Sequence, residues 1–108
     1  MANPAPKTKD FKAWQNVQPG GKPKLIVTGK VETSNSNQTP GLSEHVPQGI
    51  NPKILLIDLT ITTKGEGNTM MGWLDVRFEK PITRDQYSNV DILWDGNIIE
   101  HLKVATAE

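Results

Sequence analysis

Residues 53–63 read Lys-Ile-Leu-Leu-Ile-Asp-Leu-Thr-Ile-Thr-Thr. In an extended chain successive side chains alternate between faces, so Leu55, Ile57, Leu59 and Ile61 share one side. The β-branched residues of the second half favour strand over helix. Ile54 and Leu56 on the opposite side imply that the first half is covered on both faces. Asp58 lies on that opposite side too, where it points to water or meets a lysine, because an unpaired buried charge is costly. Residues 64–68, with Gly65 and Gly67, end the run as a turn.

The same period extends outward in both directions. Residues 24–32 set Leu25, Val27, Gly29 and Val31 against Ile26, Thr28, Lys30 and Glu32. Residues 70–80 set Gly72, Leu74, Val76 and Phe78 against Met71, Trp73, Asp75, Arg77 and Glu79, a second face that is charged and meets water, and Pro81 ends the strand. Residues 90–94 and 98–104 flank Asp95-Gly96, a strong hairpin signal. A two-residue loop sets Asp91 opposite Glu100. A three-residue loop closed by a left-handed Asn97 sets Asp91 opposite His101 and Val90 opposite Leu102, and it is preferred because like charges directly opposite are unfavourable.

The polar stretch 33–52 divides into a loop at 34–41, a short edge strand at 42–46 and a second turn through Gln48, Gly49 and Asn51. Pro40, Pro47 and Pro52 fit this division, since proline is confined to strand starts and edges. No run of ten residues carries apolar positions at helical spacing. One helical turn is expected at 81–87, with Thr83 as N-cap before Arg84 and Asp85. The pattern predicts an all-β chain, an antiparallel β-sandwich of about seven strands and immunoglobulin-like kind, with a small barrel as the alternative. Trp73 or Trp94 is expected to fill the inter-sheet position.

The length of 108 residues leaves room for one domain. Residues 1–20, with Pro4, Pro6, Lys7 and Lys9, read as a flexible N-terminal arm and lead-in, and residues 21–108 as the single β-sandwich domain. Residues 1–30 hold six lysines against Asp10, so the net charge of zero conceals a basic first third. A balanced charge argues against nucleic acid and against a polybasic membrane surface. The absence of cysteine removes disulfide scaffolds, cysteine-ligated metal sites and thiol nucleophiles. No signal peptide and no apolar span of membrane length is visible, so the chain as written reads as cytoplasmic, or as extracytoplasmic if a leader has been removed.

Chemistry is sparse. His45 and His101 are separate in sequence, and no ligand spacing joins them to a metal set. Ser34, Ser36, Ser43 and Ser88 lie in no nucleophile elbow, and the glycine pair at 65 and 67 leads into a strand rather than a phosphate-binding helix. No catalytic, cofactor-binding or metal-binding residue is assigned, and the chain reads as non-catalytic. Asn37 and Thr39 match a glycosylation acceptor, which without a signal peptide reads as chance.

Exposed apolar residues are the better lead. Trp14, Met70, Met71 and Trp73, with Leu93 and Ile99 on the reverse of the hairpin, would form a patch that implies a partner. The residues expected to contact it are Trp14, Asn37, Met71, Trp73 and Tyr87. The leading expectation is a non-catalytic β-sandwich interaction module that binds a protein partner or a second copy of itself. The alternatives are a small inhibitor or accessory subunit acting through its loops on a larger enzyme, and a small-ligand-binding β-barrel in which His45, His101 and Asp91 would line the site.

Overall fold

A computed structural model of the chain describes residues 4–107. Seven strands and no helix form within them: β1 (Thr8–Asn16), β2 (Lys24–Asn35), β3 (Gln38–Glu44), β4 (Ile54–Thr63), β5 (Thr69–Pro81), β6 (Asn89–Trp94) and β7 (Asn97–Ala107). They make one mixed sheet in the order β3-β4-β6-β7-β1-β2-β5. β7 serves both halves, pairing antiparallel with β6 through residues 97–103 and parallel with β1 through residues 104–107. The sheet coils until its two outer strands, β3 and β5, come back together, so the fold is nearly a barrel.

The alternation read from sequence sorts the core correctly. Leu55, Ile57 and Leu59 of β4 meet Leu25, Val27 and Val31 of β2, Val90 and Ile92 of β6, and Leu102 of β7 in one buried cluster. Burying such a side chain fully is worth about 1.5–3 kcal/mol relative to leaving it in water. This cluster is the main source of stability in a chain with no cross-links.

Where β3 and β5 come back together no ladder forms between them, and Lys80 Nζ of β5 meets Glu44 Oε1 of β3 (2.6 Å). Lys80 pairs with buried Leu25 and so points inward. An inward-pointing charge is a known guard on an edge strand, since it resists a continued ladder there. The Glu44 carboxylate, seconded by Tyr87, holds the Lys80 ammonium above its ordinary value of 10.5 against the opposing effect of burial. A raised folded-state value adds stability that is complete below the unfolded value and is lost as pH rises through the folded one. The advantage of the native chain over Glu44→Gln is therefore expected to be about 0.2–1 kcal/mol at pH 8, and to be lost as pH rises through the raised folded-state value of Lys80. Urea midpoints of both chains across that range check it.

Five expectations need correction. Residues 8–16 are not part of a free arm but strand β1, an inner strand between β7 and β2. Its inward set is Phe11, Ala13 and Gln15, and a bulge between Lys9 and Lys12, with Asp10 at φ 56°, breaks the alternation. A buried glutamine and a shifted register hide the period. Second, the sheets are not purely antiparallel: β1 pairs with β7 and β4 with β6 in parallel. The crossover from β4 to β6 runs through β5 rather than a helix, so it leaves no helical period in the sequence.

Third, no helical turn forms at 81–87. Gln86 N–H donates to the Thr83 carbonyl (3.1 Å), closing a β-turn with Asp85 at φ 58°. Thr83 is thus the first residue of a turn and not a helix cap. Buried Gln15 holds this turn in place: its Oε1 accepts from Asp85 N–H (2.9 Å), and its Nε2 donates to Asp85 Oδ1 (2.6 Å). An aspartate tolerates the left-handed region better than most residues, and these bonds fix it there.

Fourth, the last hairpin reaches the predicted pairing by another route. Asp91 does lie opposite His101, and Val90 opposite Leu102. The loop, however, is the two residues Asp95 and Gly96, both at positive φ, and Trp94 pairs with Asn97. Asn97 is not left-handed. The register is restored by a bulge between Ile92 and Leu93 and their partners, where Leu93 faces Ile98 and Ile92 faces Glu100. The edge strand expected at 42–46 is also longer and earlier, β3 at Gln38–Glu44. Pro40 is accommodated because β3 is an outer strand.

Candidate functional site

β2 and β5 outrun the core. Their ladder continues past Val31, which pairs with Leu74, to Glu32 with Trp73, Thr33 with Gly72 and Asn35 with Thr69. From Leu74 back to Thr69 every residue of β5 except Gly72 is exposed, on both faces of the strand, although Val31 and Thr33 beside it on β2 are buried. Met70 is 61% exposed, Met71 63%, Trp73 38% and Leu74 42%. β5 is also the last strand of the sheet order and has no ladder partner on its other side. Four large apolar side chains therefore stand on one unpaired strand edge.

Trp73 is the centre of this surface. Lys9 Nζ lies 4.2 Å from its ring centroid, reaching across β2 from β1. An exposed contact of this kind is worth about 0.5–1 kcal/mol and fixes the indole against the sheet. Next to it Lys30 Nζ meets Asp75 Oδ1 (3.1 Å). Farther along the same face Arg77 Nε (2.8 Å) and Lys24 Nζ (3.1 Å) both bind the Glu79 carboxylate and hold it below the ordinary carboxylate range, Arg77 having the larger effect. Between these rows an open depression of about 760 Å³ lies over Gly29, walled by Lys12, Lys30, Asp75 and Arg77. Of its charges Lys30 and Asp75 pair across the strands, Arg77 binds Glu79 of its own strand, and Lys12 lies over the Trp14 ring.

The five residues expected to meet a partner do not form one site. Met71 and Trp73 share the outer face of β5. Trp14 is on the same sheet face, but it pairs with Ile26, six residues along β2 from the Glu32 that faces Trp73. At 3.4 Å per residue that is roughly 20 Å. Lys12 Nζ lies 5.5 Å from the Trp14 ring, and the indole is half-buried. Asn37 ties two turns together, its Nδ2 donating to the Gly65 carbonyl (2.9 Å) while its backbone carbonyl accepts from Lys64 N–H (3.2 Å). Tyr87 packs against the core with Lys80 5.6 Å from its ring. Asn37 and Tyr87 are thus in structural positions.

The reverse face of the hairpin also differs from expectation. Leu93 is buried, and the bulge turns Ile99 toward the core, leaving Ile98 exposed. Neither Trp73 nor Trp94 is sealed between sheets, for Trp73 is on the outer face and Trp94 is only partly buried against the core. Leu74, Gly72 and Lys9 were missed as members of the site. The signal that marks them is the length of the alternating run beyond the last paired core residue, together with a glycine inside it.

Both histidines bind aspartates on the outer face of the other half of the sheet. His45 Nδ1 is 2.9 Å from Asp58 Oδ1, so the partner of Asp58 is an imidazole rather than the expected lysine. His101 Nδ1 meets Asp91 Oδ1, and Asn89 Nδ2 lies 3.4 Å from His101 Nε2. Asp91 is buried and His101 largely exposed. The pairs sit on separate strand pairs, and among the described residues no three His, Asp or Glu side chains converge as a metal would require.

No protein-family model, curated protein or solved structure matches the chain.

Proposed function

We propose that the chain is a non-catalytic interaction module that binds an extended protein segment by strand addition along the first half of β5. The observation that carries this reading is the coincidence of an unpaired strand edge with four exposed apolar side chains at 70, 71, 73 and 74. In strand addition, main-chain hydrogen bonds supply affinity and alternating side chains supply specificity. A soluble chain seldom leaves such an edge uncovered, because it templates pairing with whatever strand arrives. We also read the scaffold as sandwich-like in the immunoglobulin manner, a reading supported by its flattened dimensions of 47 × 28 × 21 Å, the thinnest of which accommodates two layers.

An eight-residue fluorescein-labelled peptide of alternating valine and threonine tests strand addition, since its backbone is competent and its sequence is neutral. Fluorescence anisotropy is expected to rise with protein concentration, to weaken about tenfold or more with Trp73→Ala, and to stay flat for the same peptide N-methylated on alternate amides. Equal binding of the N-methylated peptide, or no binding of either, would contradict the reading.

A further inference from the structure

We propose that the segment β5 accepts is β5 of a second copy of this chain, paired antiparallel about a two-fold axis through Gly72; this rests on the strand-addition reading above. The residues around the axis are self-complementary. Residues 69–75 read Thr-Met-Met-Gly-Trp-Leu-Asp. Reversed upon itself about Gly72, the strand sets Met70 against Leu74, Met71 against Trp73 and Thr69 against Asp75. Each apolar residue meets an apolar one on its own face, and no charge meets its like. Moving the axis to Arg77 would set Asp75 against Glu79, an unfavourable like-charge pair. Moving it to Leu74 would set Arg77 against Met71 and Asp75 against Trp73, placing charges over the apolar stripe.

Two further observations favour a second copy over an unrelated chain. The formal net charge is zero, so no long-range repulsion keeps two copies apart. Gly72 is a strand-interior glycine, and a Cβ built on it meets no atom within 4 Å. Such a glycine costs strand stability, and where the chain's own packing gives no reason for it, close approach of another backbone is a reason. An isologous axis through this residue brings the two backbones together where neither has a side chain. The apolar area available is on the order of a few hundred Å² per chain, which fits a weak, concentration-dependent dimer rather than an obligate one.

Gly72→Cys tests the axis, because the chain has no cysteine of its own and the space at Gly72 is open. Residues directly opposite in antiparallel strands have Cα atoms about 4.5–5.5 Å apart, inside the range a disulfide spans. Under mild oxidation Gly72→Cys is expected to form covalent dimer at least tenfold faster than Ser43→Cys, an exposed position on β3 that sets the collision background. Thr69→Cys, opposite Asp75 in this register, is expected to match that background. Equal rates at 72 and 43 overturn the self-pairing. If the valine–threonine peptide nevertheless binds, strand addition stands and its occupant is a different chain; if the peptide fails as well, both readings fall. Preferred cross-linking at 69 over 72 overturns the register.

Discussion

Gly29→Ala is expected to destabilise the fold by about 1–3 kcal/mol, the usual cost of forcing extra volume into a packed core. A Cβ at this position would lie 2.5 Å from Cγ and 2.6 Å from both Cδ atoms of the Phe11 ring. The ring cannot swing aside cheaply, because the β1 bulge directs it inward over Gly29 and it packs against the buried cluster. The cause is separable from ordinary strand propensity. An alanine in a strand is favoured over glycine by roughly 0.5–1 kcal/mol where nothing obstructs it. In a Phe11→Ala background the clash is gone, so Gly29→Ala is expected to become neutral or stabilising there. Urea unfolding of the four chains gives the coupling directly. The same loss in both backgrounds would mean that the Phe11 ring is not what excludes a side chain at position 29.

His101→Ala is expected to cost about 1–3 kcal/mol at neutral pH, although His101 itself is largely exposed. The penalty arises at Asp91, whose buried carboxylate loses the partner that the structure gives it. The exposed side of the pair is screened by water, which keeps the effect below that of a fully buried ion pair. Asp91→Asn in the His101→Ala background removes the charge and is expected to recover most of the loss. His45→Ala should cost markedly less, since Asp58 is about a third exposed and regains water when the imidazole leaves. Thermal midpoints for the four chains decide this. Equal losses at the two histidines would show that burial of the carboxylate is not what matters.

Legibility in the sequence follows burial on one face. β4 and β2 alternate cleanly because one side of each meets the core, and their inward residues were readable one by one, whereas β5 carries its period into the core only at Val76 and Phe78. The Asp91–His101 pairing was readable because charge opposition excluded the other register, although the loop and bulge that produce it were not. β1 was hidden by its inward Gln15, which satisfies a turn 70 residues away, and by the two residues that oppose one at its bulge. The parallel pairs were hidden because strands rather than helices lie between their members in the chain.

The site was half legible. Met71 and Trp73 announced themselves as apolar residues on a charged face. Nothing in a linear reading places Trp14 about 20 Å from Trp73 or shows that Leu74, inward by alternation and paired with buried Val31, stays exposed. Asn37 and Tyr87 were attractive as polar and aromatic loop residues, yet each holds its own loop: Asn37 bridges to Gly65, and Tyr87 covers the core beside Lys80. Loops selected by composition alone do not separate residues that fasten the chain from residues that meet another one.

Sedimentation velocity over a thousandfold range of concentration, on the native chain and on Trp73→Ala, tests the central claim that the β5 edge is a contact surface for a second copy. The native chain is expected to pass from one unit of 11.9 kDa to two as concentration rises. Trp73→Ala, with its thermal midpoint unchanged, should move that transition at least tenfold higher, equivalent to about 1.4 kcal/mol of association energy. A native chain that stays at one unit throughout, or a dimer indifferent to Trp73→Ala, would contradict it.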